Sequence, residues 1–263
     1  MIILDGKSLS QQILNNLQLS ANLDVILVGN DPSSLKYVDL KKQASLRLGV
    51  NFRLYHLPAE TEPQVLKQLI AQLNNKTDVS GFFIQLPLPK NYPQKELLGL
   101  ISPAKDVDGL NPNSGILPAV VKGIITLLSH YQISFKNKNI VIVNDSDLIG
   151  QPLKKYFSQF TKTVTLLNTQ TPDISQFTKT ADILISATGV KKLITGDMVQ
   201  EGSVIVDVAN GDIDFASCSQ KASYITPTFG GIGPMTIASL FQNLSELTVP
   251  PLSDKQPPRA HIY

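Results

Sequence analysis

Three short apolar runs, two of them followed by segments of helical spacing, constrain the first half of the chain most tightly. DVILVGN (24–30), NFRLYHL (51–57) and GFFIQL (81–86) read as strands; a helix carrying Tyr37, Lys41 and Ala44 follows the first, and PQVLKQLIAQLN (63–74) follows the second. Strands that alternate with helices predict βαβ units and a mostly parallel sheet. PLPKNYP ends the third strand, because proline cannot donate to a central ladder. Ser33 or Ser34 is the expected cap of the first helix.

SPAKDVDGLNPNSG (102–115) is a loop by its Pro, Gly and Asn content, and VVKGIITLLSHY after it is helical. A second series then begins: strand NIVIVN (139–144), helix IGQPLKKYFSQF, and strands TVTLLN, DILISAT and SVIVDVAN. YITPTFGG opens a loop, and GPMTIASLFQNLSEL (233–247) is a final helix. A chain of 263 residues accommodates two moderate domains, each with its own core. The expected fold is α/β with two domains. Residues 1–118 form an N-terminal α/β catalytic domain completed by a returning C-terminal helix, 234–263. Residues 119–233 form a Rossmann-type nucleotide-binding domain with a mostly parallel sheet.

The net charge of +2 and the lack of any run of five basic residues argue against a nucleic-acid partner. Cys218 is the single cysteine, which excludes an internal disulfide framework and fits a reducing compartment. No apolar run approaches the ~20 residues of a membrane span. The opening MIILDGKSLSQQIL lacks a signal-peptide pattern, so a cytoplasmic protein is the default.

Several residues stand where chemistry is possible. Tyr37 and Lys41 are an i,i+4 pair on one helix face. They suit either a solvated, Lys-rich surface or a pocket in which a desolvated lysine acts as an acid/base. Gln85 emerges at the carboxyl end of a strand, where open α/β sheets bind ligands, or it caps a Pro-rich turn. Asp106 and Asp108 both precede a Gly turn; with no His nearby and no EF-hand spacing, no metal is expected, leaving an amine-binding carboxylate or turn chemistry. VNDSDLIGQP joins a strand to a helix, as a dinucleotide phosphate site does, but lacks G-x-G-x-x-G.

Taken in order, four blocks closely resemble the bifunctional methylenetetrahydrofolate dehydrogenase/methenyltetrahydrofolate cyclohydrolase family: VGNDPSSLKYVDLK, GFFIQLPLP, KDVDGLNPNSG and ITPTFGGIGPMT. IILDGK and GDMVQEGSVIVDV are similar to it as well, so the match covers nearly the whole chain. The resemblance implies oxidation of a methylene-bridged folate with a nicotinamide cofactor, followed by hydrolysis to the 10-formyl product. Lys41 would be the catalytic lysine, Tyr37 would order the substrate, Gln85 would tune the lysine and Asp108 would grip the pterin amino edge. Ile84, Leu86, Phe229, Gly230, Gly231, Ile232 and Gly233 would complete the folate site. Asn144, Asp145, Ser146, Ile149, Gly150, Pro152, Thr169, Thr188 and Gly189 would hold the cofactor, NADP by family habit. A homodimer is implied too.

The cofactor half departs from the pattern. Asn144 replaces a turn glycine, at low cost if a left-handed conformation is required. Asp145 stands where arginine is common, so it repels a 2′-phosphate but can accept from a bare ribose, which brings NAD into play. Asn168-Thr169 replaces a His-Ser pair, DVANGD (207–212) is shortened, Phe229 replaces proline, and PAVVKG (118–123) follows a deletion.

Overall fold

The structure, a computed structural model, describes residues 1–248, so the end of the expected 234–263 helix lies outside the described residues. The first half runs β1 (Ile2–Ile3), α1 (Gly6–Asn15), β2 (Asn22–Val28), α2 (Pro32–Arg47), β3 (Asn51–Leu57), α3 (Pro63–Asn75), β4 (Gly81–Ile84) and α4 (Gln94–Gly99). The second runs α5 (Ala119–His130), β5 (Ile140–Val143), α6 (Gly150–Phe157), β6 (Val164–Leu167), α7 (Ser175–Thr178), β7 (Ile183–Ser186), β8 (Val204–Asp207), α8 (Phe215–Cys218), β9 (Tyr224–Ile225) and α9 (Ile232–Thr248).

Two sheets result, both parallel: a three-stranded one in the order β3-β2-β4 and a six-stranded one in the order β1-β9-β8-β7-β5-β6. In the small sheet the chain leaves central β2 for β3 on one side, then crosses to β4 on the other. That reversal opens a crevice between the carboxyl ends of β2 and β4, the place where such sheets bind ligands. The same reversal recurs around β5, flanked by β6 and β7.

Period-2 alternation divides the small sheet's side chains between two cores. Leu23, Val25, Leu27 and Phe83 meet Val38 and Ala44 of α2 and Ile237, Leu240, Phe241 and Leu244 of α9. Ile26, Val28, Phe82 and Ile84 meet Leu66, Ile70 and Leu73 of α3, spaced i, i+4, i+7 as one helix stripe requires.

The cap of α2 is not Ser33 or Ser34. Asp31 accepts from the Ser34 N–H at 2.8 Å, and Pro32 occupies the first turn, where its missing N–H and fixed φ cost nothing. β4 ends at Ile84, two residues short of the apolar run, although the Gln85 N–H still donates to Ile26 at 2.8 Å.

Two segments tie the lobes together. Residues 2–3, expected in the first unit, form the edge strand of the large sheet beside β9. Helix α9 begins in the large lobe with Ile232 and Met235 and ends in the small one. Its fully buried Asn243 donates to the carbonyls of Val107 (3.0 Å) and Leu117 (3.1 Å), anchoring the loop that carries Asp108.

Candidate active site

Helix α2 and the end of β4 converge on one amine. Lys41 is only 4% exposed, and its Nζ donates to Gln85 Oε1 at 3.1 Å. The same Nζ lies 4.0 Å from the centre of the Phe83 ring, whose π face favours a cation. Gln85 is itself fixed, because its Nε2 donates to the Leu86 carbonyl at 2.7 Å. Burial pulls the Lys41 pKa below that of an ordinary lysine, and the charge of Asp108 partly offsets this. Asp108 is the mirror case: burial raises its pKa and Lys41 opposes the rise. An amine and a carboxyl that perturb each other in a poorly solvated crevice have the character of an acid/base site. A solvated-surface role for Lys41 does not match this geometry, whereas Gln85 fills both of its expected roles, bonding the backbone of the Pro-rich turn through Nε2 and holding the lysine through Oε1.

The two acids of KDVDG divide their work. Asp106 is fully buried and accepts from the N–H groups of Gly109 (3.0 Å) and Asn111 (2.8 Å), so it builds the turn. Asp108 keeps its carboxylate available, while its carbonyl accepts from the first N–H of α5 at 3.0 Å. Gly109 has φ +68°, and a Cβ there would come 2.6 Å from the Leu117 carbonyl oxygen.

Tyr37 stands at the lobe junction. Its hydroxyl is 3.5 Å from Asn210 Nδ2 and would lie 3.3 Å from a Cβ at Gly233. Around it, Phe229 is 80% exposed, the Gly230 carbonyl accepts from the Lys7 N–H at 2.7 Å, and Gly231 packs on Thr226. Ile232 and Ile84 point instead into hydrophobic cores, the second beneath α3, so any part they play at the site falls to their backbone. Leu86 is partly buried against that same core.

In the large lobe the β5–α6 turn is organised by Asn144 without a left-handed conformation: its φ is not among the positive values of the described residues. Instead its Oδ1 accepts from the Ser146 N–H (2.9 Å), Ser146 Oγ (2.7 Å) and the Gly150 N–H (3.2 Å), and its Nδ2 donates to Ala187 (2.7 Å). The Ile149 N–H donates to Ser146 Oγ at 3.2 Å. A side chain in effect replaces the turn glycine. Across the crevice, the Thr188 N–H and Oγ1 both donate to Asp212 Oδ2, at 2.6 and 2.8 Å, and Gly189 turns with φ +74°. Asp145 accepts from Asn168 Nδ2 at 2.7 Å, joining the tips of β5 and β6, with Thr169 exposed beside them. Asp147, by contrast, reaches Lys95 of the small lobe at 2.6 Å. Ser146 and Pro152 also border a cavity of about 820 Å³ between α4, α6 and the 109–118 loop, which includes neither Lys41 nor Gln85.

Asp212, Asn210 and Asn243 carry roles that the sequence pattern alone did not assign. The Asn-Gly pair at 210–211 was the available signal for the first of them; Asn210 has φ +60°.

The Gly150 position yields a stability prediction. A Cβ there would sit 2.1 Å from the Asn144 carbonyl oxygen. Gly150→Ala is therefore expected to cost about 1–3 kcal/mol, the usual penalty of overpacking, and to lower Tm in thermal unfolding. An unchanged Tm would show that the turn relaxes freely.

Residues 4–108 match the model of the tetrahydrofolate dehydrogenase/cyclohydrolase catalytic domain, and residues 118–249 match that of the family's NAD(P)-binding domain. The chain belongs to this family. It is 41% identical over 271 residues to a bifunctional FolD protein of Aquifex aeolicus, covering 92% of this chain and 93% of that one. Among solved structures, the bifunctional FolD methylenetetrahydrofolate dehydrogenase/cyclohydrolase of Campylobacter jejuni superposes with a TM-score of 0.89 at 36% identity, covering 94% and 98% of the two chains. A Trypanosoma brucei methylenetetrahydrofolate dehydrogenase-cyclohydrolase, solved with NADP and an inhibitor, superposes with a TM-score of 0.89 at 26% identity, covering 94% and 96%. Among the described residues, no group of three or more His, Cys, Asp or Glu could hold a metal ion, and no helix is long and apolar enough to cross a membrane.

Proposed function

We propose that this protein oxidises 5,10-methylenetetrahydrofolate to the 5,10-methenyl form with NADP and hydrolyses that product to 10-formyltetrahydrofolate. The observation that carries the reading is the buried Lys41 amine, held by Gln85 and facing the charge of Asp108. The family membership supports it. Asp108 pairs its two oxygens with the amino edge of the pterin, a strong and directional contact. Tyr37 orders the ligand above α2. In the hydrolytic step water adds to the cationic methenyl carbon and Lys41 takes its proton. Lys41 then returns that proton to N5 as the C–N5 bond breaks, and the hydroxyl proton of the adduct passes to solvent, which leaves the formyl group on N10.

The β5–α6 turn and the Thr188–Gly189 loop flank the reversal around β5, which suits a dinucleotide. Asn144, Ser146, Ile149 and Gly150 would hold its pyrophosphate region, and Asp145, Asn168 and Thr169 its adenosine ribose. When bound, nicotinamide supplies the hydride acceptor. The protein's part is proximity and orientation.

A homodimer in the cytoplasm completes the proposal. The deciding assay uses purified protein, methylenetetrahydrofolate and either NADP or NAD, with methenyl formation and its hydrolysis followed separately. Failure of both reactions with both cofactors would overturn the reading.

Asp145 tunes cofactor choice. Its carboxylate accepts from Asn168, where a 2′-phosphate would meet negative charge. Asp145→Arg is expected to raise the NADP-to-NAD ratio of kcat/KM by about tenfold, the scale of one charge-assisted hydrogen bond. A wild-type preference for NADP of a hundredfold or more would place this carboxylate outside the selection of cofactor.

A further inference from the structure

The cavity of about 820 Å³ between α4, α6 and the 109–118 loop stands apart from the crevice that holds the amine, since none of Tyr37, Lys41, Gln85 and Asp108 lines it. Its size falls within the roughly 300–1,000 Å³ of small-molecule sites. From α6 come Pro152, Lys155, Tyr156 and Gln159, spaced i, i+3, i+4, i+7 as one helix face. Leu153 and Phe157 of the same helix point the other way, into the large core. From α4 come Lys95 and Leu98. Leu148 reaches over from the β5–α6 turn to pack with Leu98 and Leu110 on the core of the small lobe, so the floor is apolar.

The rim carries one uncompensated positive charge. Asp147 is the single acid of the lining among the described residues, and Lys95 takes it at 2.6 Å. Glu96, the acid of α4, lies off the lining and is held by Lys67. Lys155 remains, exposed and in no ion pair among the described residues. Beside it, Tyr156 is half-buried, and its hydroxyl has no hydrogen-bond partner among the described residues. A tyrosine hydroxyl taken out of water usually finds one. A free ammonium and a free hydroxyl above an apolar floor suit a molecule with one anionic head and an apolar ring.

We propose that this cavity binds a small aromatic monoanion, its ring against Leu98, Leu110 and Leu148 and its anionic head on Lys155 and the Tyr156 hydroxyl. Such an occupant touches both lobes at once, and it also meets the β5–α6 turn through Ser146. The site stands on its own geometry and is independent of the proposed reaction.

The test titrates the intact protein, at low salt, with two fluorescent probes: anilinonaphthalene sulfonate, an aromatic monoanion, and N-phenylnaphthylamine, its uncharged counterpart. Wild type is expected to bind the sulfonate about fivefold more tightly than the neutral probe, the upper scale of one exposed charge contact. In Lys155→Gln, a change at an exposed position, that ratio should fall to about one. Gly115 also lines the cavity, and a Cβ there meets nothing within 4 Å, so Gly115→Trp can fill the space at little risk of misfolding. It should weaken both probes by about tenfold or more, as loss of apolar burial does, with Tm unchanged. No binding, equal affinities in wild type, a preference that survives in Lys155→Gln, or wild-type affinity for both probes in Gly115→Trp would each overturn the site.

Discussion

Lys41→Met is expected to lower cyclohydrolase kcat/KM by about 10²–10⁴, the range for losing a positioned general acid/base. Methionine retains the length and most of the bulk of the stem over Phe83 but carries no exchangeable proton. The dehydrogenase reaction should fall less, because hydride transfer requires no proton shuttle and Lys41 serves it only through substrate position. Fold stability should change little. The substitution ends the desolvation of a buried amine while leaving Gln85 Oε1 without its donor, two effects of opposite sign. Separate assays of the two half-reactions, with Tm as a control, decide the matter. Wild-type hydrolysis by a folded Lys41→Met protein would remove the lysine from the mechanism.

Asp108→Ala should weaken folate binding by about 1.5–3 kcal/mol, or roughly 10- to 150-fold in Kd, as for a hydrogen bond to a charged group. Calorimetry against a folate ligand reads this directly. Asp106→Asn should affect the ligand less and stability more, because its two oxygens hold the Gly109 and Asn111 N–H groups. The pH profile offers an independent check. The negative charge of Asp108 favours the protonated Lys41, so its removal should shift the lysine limb of the cyclohydrolase profile toward lower pH. Unchanged affinity with an unmoved limb would separate Asp108 from both the ligand and the lysine.

Most of the fold was legible because its strands are continuous apolar runs and its helices carry clear 3.6-residue periodicity, as in DVILV and PQVLKQLIAQL. β1 and β9 escaped because a two-residue strand has no period to detect; only the completed sheet defines them. At the site, the i,i+4 spacing of Tyr37 and Lys41 was visible, but spacing cannot reveal burial. The amine is dry because Phe83 and Gln85 arrive from a strand more than forty positions away. In the cofactor half, Asn144 was legible as a substitute for glycine but not in its manner of substitution. Its amide acts through four hydrogen bonds and requires no permissive backbone. Asp212 was hidden for a similar reason, since its partners Ser186 and Thr188 are 26 and 24 positions away.

The chain's route between the lobes has a consequence for how the molecule can be taken apart. The N-terminal residues lie in the large sheet, the chain then builds the small lobe, and α9 returns from the large core to finish the small one. No single scission yields two self-sufficient halves. Ending the polypeptide after residue 118 strips the small sheet of the Ile237–Leu244 face that covers it. Starting it at residue 119 leaves β9 as a bare edge with its Ser223 and Ile225 carbonyls unpaired. Fragment complementation and limited proteolysis should therefore find mutually dependent pieces, and a graft of either lobe onto another scaffold must carry the crossing segments with it.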